Sequence, residues 1–192
     1  MEYMPKDYSH LKGTLGFSDL LLENHFTLYK GYVANTNKLA ALITDMLETG
    51  SESSPEFAEL KRRFGFEFNG MRLHELYFEN FGSTEELEED SILAQELESS
   101  FGSLEKWATD FKATGKMRGI GWVILYKDTV NDKFFNQWIN EHETGHLAGC
   151  VPLLVIDVFE HAFISDYGLK RADYIEAFFS SIDWKVVNGR LK

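Results

Sequence analysis

Apolar residues recur at three- and four-residue steps over residues 17–47: Leu20, Leu21, His25, Leu28, Tyr29, Tyr32 and Val33 fall on one stripe. That period is helical, so the pattern predicts a long first helix, with Gly31 as a point where it can bend. The stretch TGSESSP, 49–55, reads as a turn, and a serine (Ser53 or Ser54) before Pro55 supplies an N-cap and first-turn pair. A short charged helix then runs to about Gly65, and a further helix covers NGMRLHELYFENFG, 69–82, stopped by Gly82. Long helices with a short connection predict an antiparallel hairpin.

Glu85 to Asp90 is an acidic run, read as solvated and as the seam between two units, 1–84 and 85–192. Residues 91–101 and 103–117 predict two helices split at Gly102-Ser103, where Ser103 can cap. The period then changes. GIGWVILYKD (119–128), KFFNQWI (133–139) and CVPLLVI (150–156) are β-branched and aromatic runs; VND turns the chain between the first two. Pro152 marks an edge or a strand start. Helical patterns return in EHAFISDYG, RADYIEAFFSSI and WKVVNGRL. The expected fold class is α+β: an N-terminal long antiparallel helical hairpin, then a C-terminal domain with a three-stranded antiparallel sheet flanked by helices.

Composition narrows the partners. Of 192 residues, 44% are hydrophobic, enough for a sizeable core, and the formal net charge is −12. Such a surface repels phosphate backbones and anionic lipid, so no nucleic acid and no membrane partner is expected. No apolar run approaches the roughly 20 residues of a membrane helix. Cys150 is the single cysteine, and Met1-Glu2-Tyr3-Met4-Pro5 has no signal-peptide character. Both features suit a cytoplasmic setting.

Against that background VIDVFEHAF, 155–163, is anomalous, because an apolar run holds Asp157, Glu160 and His161. Of the six histidines, His25 and His74 lie on the apolar stripes of the two hairpin helices. Asp157 ends an apolar strand, where an unpaired carboxylate is costly, and His161 follows four residues on. Burying all four together calls for a cation. Three imidazoles and a carboxylate suit Zn, Fe or Mn; structural zinc is disfavoured, since no thiolate besides Cys150 is available. His10 and His146 read as surface or loop residues.

DVFEHAF resembles the iron/manganese superoxide dismutase signature, usually Asp-Val-Trp-Glu-His-Ala-Tyr. HFTLYKGYVANTNKL, HELYFENF, GSLEKW, GIGWVIL and RADYIEAFFSSIDWKVVNGRL resemble further segments of that family in order, from about residue 17 to the C-terminus. The resemblance implies one Fe or Mn ion per subunit, held by His25, His74, Asp157 and His161. It implies conversion of superoxide to dioxygen and hydrogen peroxide as the metal cycles between M(III) and M(II). Tyr32 matches the family's gateway tyrosine. His142 matches the position of a residue that hydrogen-bonds the metal's water, Gly70 leaving room for it. Glu160 matches a residue that reaches His161 of the other subunit in a homodimer.

Some positions depart from the family pattern. Seven residues separate His25 from Tyr32 where eight are usual, so this helix is expected to be regular, without a π-bulge. Tyr29 and Ile164 replace a His–Tyr pair that bridges the family's interface. Phe78, Ile124 and Phe159 stand where Trp is usual, while Trp122 remains. The anionic substrate needs local positive charge, for which Lys30 and Arg171 are the candidates. The alternative function is a metal-binding or structural member of the same fold with weak or no dismutase activity.

Overall fold

The computed structural model describes residues 2–191. Its first long element, α1 (Asp19–Glu48), starts where Ser18 Oγ accepts the Leu21 N–H at 3.1 Å. Every residue of α1 is α-helical, so Gly31 does not interrupt it and no π turn lies between His25 and Tyr32. The buried stripe is Leu21, Leu22, His25, Phe26, Tyr29, Val33 and Thr36. Leu20 and Leu28, expected on that stripe, are exposed at 63% and 38%. At ~100° per residue, Leu20 falls opposite the His25–Tyr29–Thr36 line, and Leu22 and Phe26 take its place inside.

The second element, α2 (Pro55–Glu79), is one helix of 25 residues, not two. Ser54 caps it and Pro55 opens it. Gly65 does not break it; packing along α1 outweighs the ~1 kcal/mol that an interior glycine costs a helix. Nor does Gly82 stop it. Asn80 does: its Nδ2–H donates to Tyr77 O (2.8 Å) and Val155 O (3.1 Å), and its Oδ1 accepts the Val155 N–H (2.8 Å). One side chain thus ends the hairpin and ties it to the sheet.

Helices α3 (Ile92–Phe101) and α4 (Leu104–Gly115) are separated by the left-handed Gly102 and the cap Ser103. Strands β1 (Gly121–Asp128), β2 (Phe134–Asn140) and β3 (Cys150–Asp157) form an antiparallel sheet in the order β2-β1-β3. Pro152 sits on edge strand β3, beside a register shift at Leu125/Tyr126. Trp122 and Asp157 are paired in register. A 3₁₀ turn, Glu160–Ala162, leads into α5 (Ile164–Tyr167), α6 (Arg171–Phe179) and α7 (Trp184–Gly189). The fold is α+β, with the end of β3 aimed between the two hairpin helices.

Candidate metal centre

His25 is on the buried face of α1 and His74 on that of α2. Asp157 is the last residue of β3, and His161 sits in the 3₁₀ turn four residues later. The structure brings all four together: one ligand atom from each lies within 4.8 Å of the others. Asp157 Oδ2 is 3.2 Å from His25 Nε2, 3.1 Å from His161 Nε2 and 3.7 Å from His74 Nε2.

Neighbouring groups fix how these side chains point. His74 Nδ1–H donates to Gly70 O at 2.5 Å, so Nε2 faces inward with its lone pair. That atom is buried and has no hydrogen-bond partner among the described residues. An orphaned buried nitrogen is rare and asks for a partner such as a cation. Asp157 Oδ1 accepts the Phe159 N–H at 2.8 Å, which turns Oδ2 toward the imidazoles. Tyr174 O–H donates to the Asp157 carbonyl at 2.7 Å and meets Tyr77 Oη at 3.1 Å. The first two bonds turn His74 Nε2 and Asp157 Oδ2 toward one point, as ligand-orienting contacts do, and the Tyr174 bond anchors the Asp157 backbone.

Protonation suits a cation too. Burial drives the pKa of His25 down and that of His74 well down, so both rings are neutral near pH 7. Burial pushes Asp157 up, but the His161 and His25 imidazoles outweigh it and hold the carboxyl below its usual range. Neutral imidazoles and an ionised carboxylate fit a borderline ion such as iron or manganese.

Against this cluster stand Tyr32 and His142. Trp122 Nε1–H donates to His142 Nδ1 at 3.0 Å. A ring nitrogen that accepts leaves the hydrogen on Nε2, which donates to Tyr32 Oη at 2.7 Å. Burial lowers the pKa of His142 to about 4 and raises that of Tyr32 to about 12, so both are neutral. Phe159 stacks on His142 (centroids 4.9 Å) and on His161 (5.3 Å), while Trp122 and Phe78 pack against His74 and His25 at 5.0 Å each. Ile124 is fully buried within β1.

Comparison with known proteins decides the family. The profile described as "Iron/manganese superoxide dismutases, C-terminal domain" matches residues 88–190. A protein named superoxide dismutase [Fe] from Aquifex pyrophilus is 35% identical, over 98% of this chain and 90% of its own length. The chain belongs to the iron/manganese superoxide dismutase family. The superoxide dismutase [Fe] of Aquifex aeolicus is 34% identical over the same shares, and superoxide dismutase [Mn] 2 of Haloferax volcanii is 30% identical over 96% of this chain and 90% of its own.

Within that family the chain's departures have local causes. Tyr29 turns inward: its ring is fully buried, its hydroxyl donates to Glu75 Oε1 at 3.0 Å and accepts the Lys6 N–H at 3.1 Å. Ile164 is 45% exposed at the start of α5. Gly70 leaves room for Tyr32: a Cβ there would lie 2.5 Å from Tyr32 Cδ1 and 2.7 Å from Cε1. His10 is exposed. The structure engages Arg171 elsewhere, donating to Met117 O and Gly119 O at 2.7 and 2.8 Å. Lys30 is exposed, and its charge acts on Asp7.

The sequence reading missed Arg63. Its guanidinium lies 3.9 Å over Phe66, whose ring meets His142 at 4.5 Å, and it pairs with the buried Glu67 at 2.6 Å. Its charge reaches both Tyr32 and His142. Arg63 precedes Gly70 by seven residues, two turns of one face. Breaking the helix at Gly65 hid that relation.

Proposed function

We propose that this chain is a superoxide dismutase that converts superoxide to dioxygen and hydrogen peroxide at one iron or manganese ion per subunit. Asp157, His25, His74 and His161 are the ligands in this reading. The observation that carries it is the orphaned His74 Nε2 in a cluster of three imidazoles and an ionised carboxylate. A bound iron or manganese supplies a one-electron couple, through which one superoxide is oxidised and a second reduced. The protein's own side chains do the rest. Peroxide formation takes up two protons, and Tyr32 Oη holds one at the edge of the cluster. The Nε2–H of His142 occupies a lone pair of that oxygen, which directs the tyrosine proton away from His142. The aromatic wall of Trp122, Phe78 and Phe159 limits water. Iron- and manganese-loaded chains assayed for superoxide consumption test the reading, and the binding-only alternative predicts metal uptake without turnover.

The same reading makes the chain a homodimer in which Glu160 bridges to His161 of the partner subunit. Glu160 is exposed, and the His161 side chain remains 30% exposed. Glu160, Met117, Ile164, Leu169 and Arg171 line one hollow, and three of these are apolar and exposed. An apolar patch beside a carboxylate suits a second copy. Sedimentation of wild type and Glu160→Ala tests it, with dissociation or loosening expected in the variant.

A hairpin unit of 1–84 and an α+β unit of 85–192 belong to this reading; support comes from a C-terminal-domain profile that starts at residue 88. So does a cytoplasmic location, supported by the single free Cys150. No helix among the described residues is long and apolar enough to cross a membrane.

A further inference from the structure

The loop that carries His142 is unusually tied down, and one tie has no role in the reading above. It leaves β2 at Asn140, which pairs with Thr144 through two backbone bonds of 2.8 and 3.2 Å. Glu141, directly before His142, has a left-handed backbone at φ 53°. That conformation is costly for a residue with a Cβ and persists only where surrounding contacts impose it. Gly145 closes the turn at φ 111°, where a Cβ would lie 2.8 Å from Trp138 O. His146 then reaches back. Its Nε2–H donates to the carbonyl of His142 at 3.0 Å, and its Nδ1 is 2.7 Å from Tyr126 Oη. Tyr126 lies in the central strand β1 and is only 3% exposed.

Two aromatic residues of β1, four apart, thus hold two imidazoles of the loop, also four apart. Trp122 holds the ring of His142, and Tyr126, through His146, holds its backbone. A side chain reaching Tyr32 at 2.7 Å needs both its ring and its backbone placed. We infer that His146 is a positioning residue: bridging Tyr126 and the His142 carbonyl, it sets the loop so that His142 meets Tyr32. This rests on the dismutase reading for its consequence in turnover, and on geometry alone for the placement of His142.

The test compares His146→Leu, which removes the bridge, with His146→Gln, which keeps an N–H near the Nε2 position. Turnover is measured per bound iron or manganese. The placement of His142 is read separately, from the indole N–H resonance of Trp122 in the full chain loaded with zinc. The inference expects a fall of about tenfold in turnover for the leucine variant, a shifted Trp122 resonance, and recovery of both in the glutamine variant. Tyr126→Phe should move the same resonance in the same direction. A leucine variant that melts earlier but keeps the wild-type resonance and turnover overturns the inference, since His146 is then only structural. If wild type consumes no superoxide with either metal, the dismutase reading fails, and the resonance still judges His146.

Discussion

The hydroxyl of Tyr32 and the Nε2 of His142 meet at 2.7 Å across 110 residues of sequence. One comes from the helical hairpin and the other from the loop after β2, so their contact joins the two halves of the chain at the edge of the metal cluster. His142 must be the Nε2–H tautomer, because Trp122 fills its Nδ1.

Removing either partner should therefore slow dismutation without emptying the site. His142→Ala and Tyr32→Phe are each expected to lower turnover by about 10- to 100-fold while metal content stays at wild-type level. The double variant should be little worse than the poorer single, because the two act as a unit. Turnover and metal analysis on the same samples check this; fully multiplicative losses would speak against a shared role.

Gly70→Ala offers a test of the Tyr32 seat. In an ordinary helix interior this change stabilises by roughly 0.5–1 kcal/mol. Here the new Cβ meets the Tyr32 ring at 2.5 Å, so the expected result is a loss of about 1–3 kcal/mol, as for an overpacked core, with reduced turnover. A variant more stable than wild type with full activity would contradict the packing described.

Acid should weaken the metal-free protein in a defined window. The folded chain keeps His25 and His74 neutral by burial, whereas in the unfolded chain both take up protons near the usual 6.5. Below that pH the unfolded state binds more protons, so stability falls as pH falls, by up to about 1.4 kcal/mol per pH unit for each ring. Asp157 adds a second loss further down, because its folded carboxyl stays ionised below the usual 3.8. Melting temperature between pH 8 and pH 4 checks the sign; a flat profile would refute it.

Arg63 should carry the salt dependence. The net charge of −12 opposes an anionic substrate, so the local cation near Tyr32 and His142 matters. Rising ionic strength should slow wild type, and Arg63→Glu should be slower at low salt and far less salt-sensitive. The charge pairing of Arg63 with Glu67 makes a milder Arg63→Gln change a useful intermediate. Equal salt slopes in all three would remove Arg63 from the account.

Much of this was legible in the sequence. The hairpin and the strands follow from periodicity, and His25, His74, Asp157 and His161 meet because the first two sit on buried helix faces, Asp157 ends β3, and His161 follows in the turn after it. The rest depends on contacts between residues far apart in the chain, which no local pattern carries. Gly65 and Gly82 look like helix stops, yet α2 runs through the first and ends before the second, at Asn80, whose side chain bonds Val155 far along the chain. The reach of His146 to Tyr126 depends on strand register and a left-handed Glu141, neither of which has a periodic signature. Arg171, expected to supply local positive charge, donates instead to carbonyls of a loop far along the chain, Met117 O and Gly119 O.

The most direct measurement is superoxide turnover as a function of iron or manganese bound per chain. Activity should rise in proportion to bound metal and level off at one ion per chain, and Asp157→Ala should neither retain the ion nor turn over. A chain that carries one iron or one manganese at these four side chains and still leaves superoxide unconsumed would contradict the central claim.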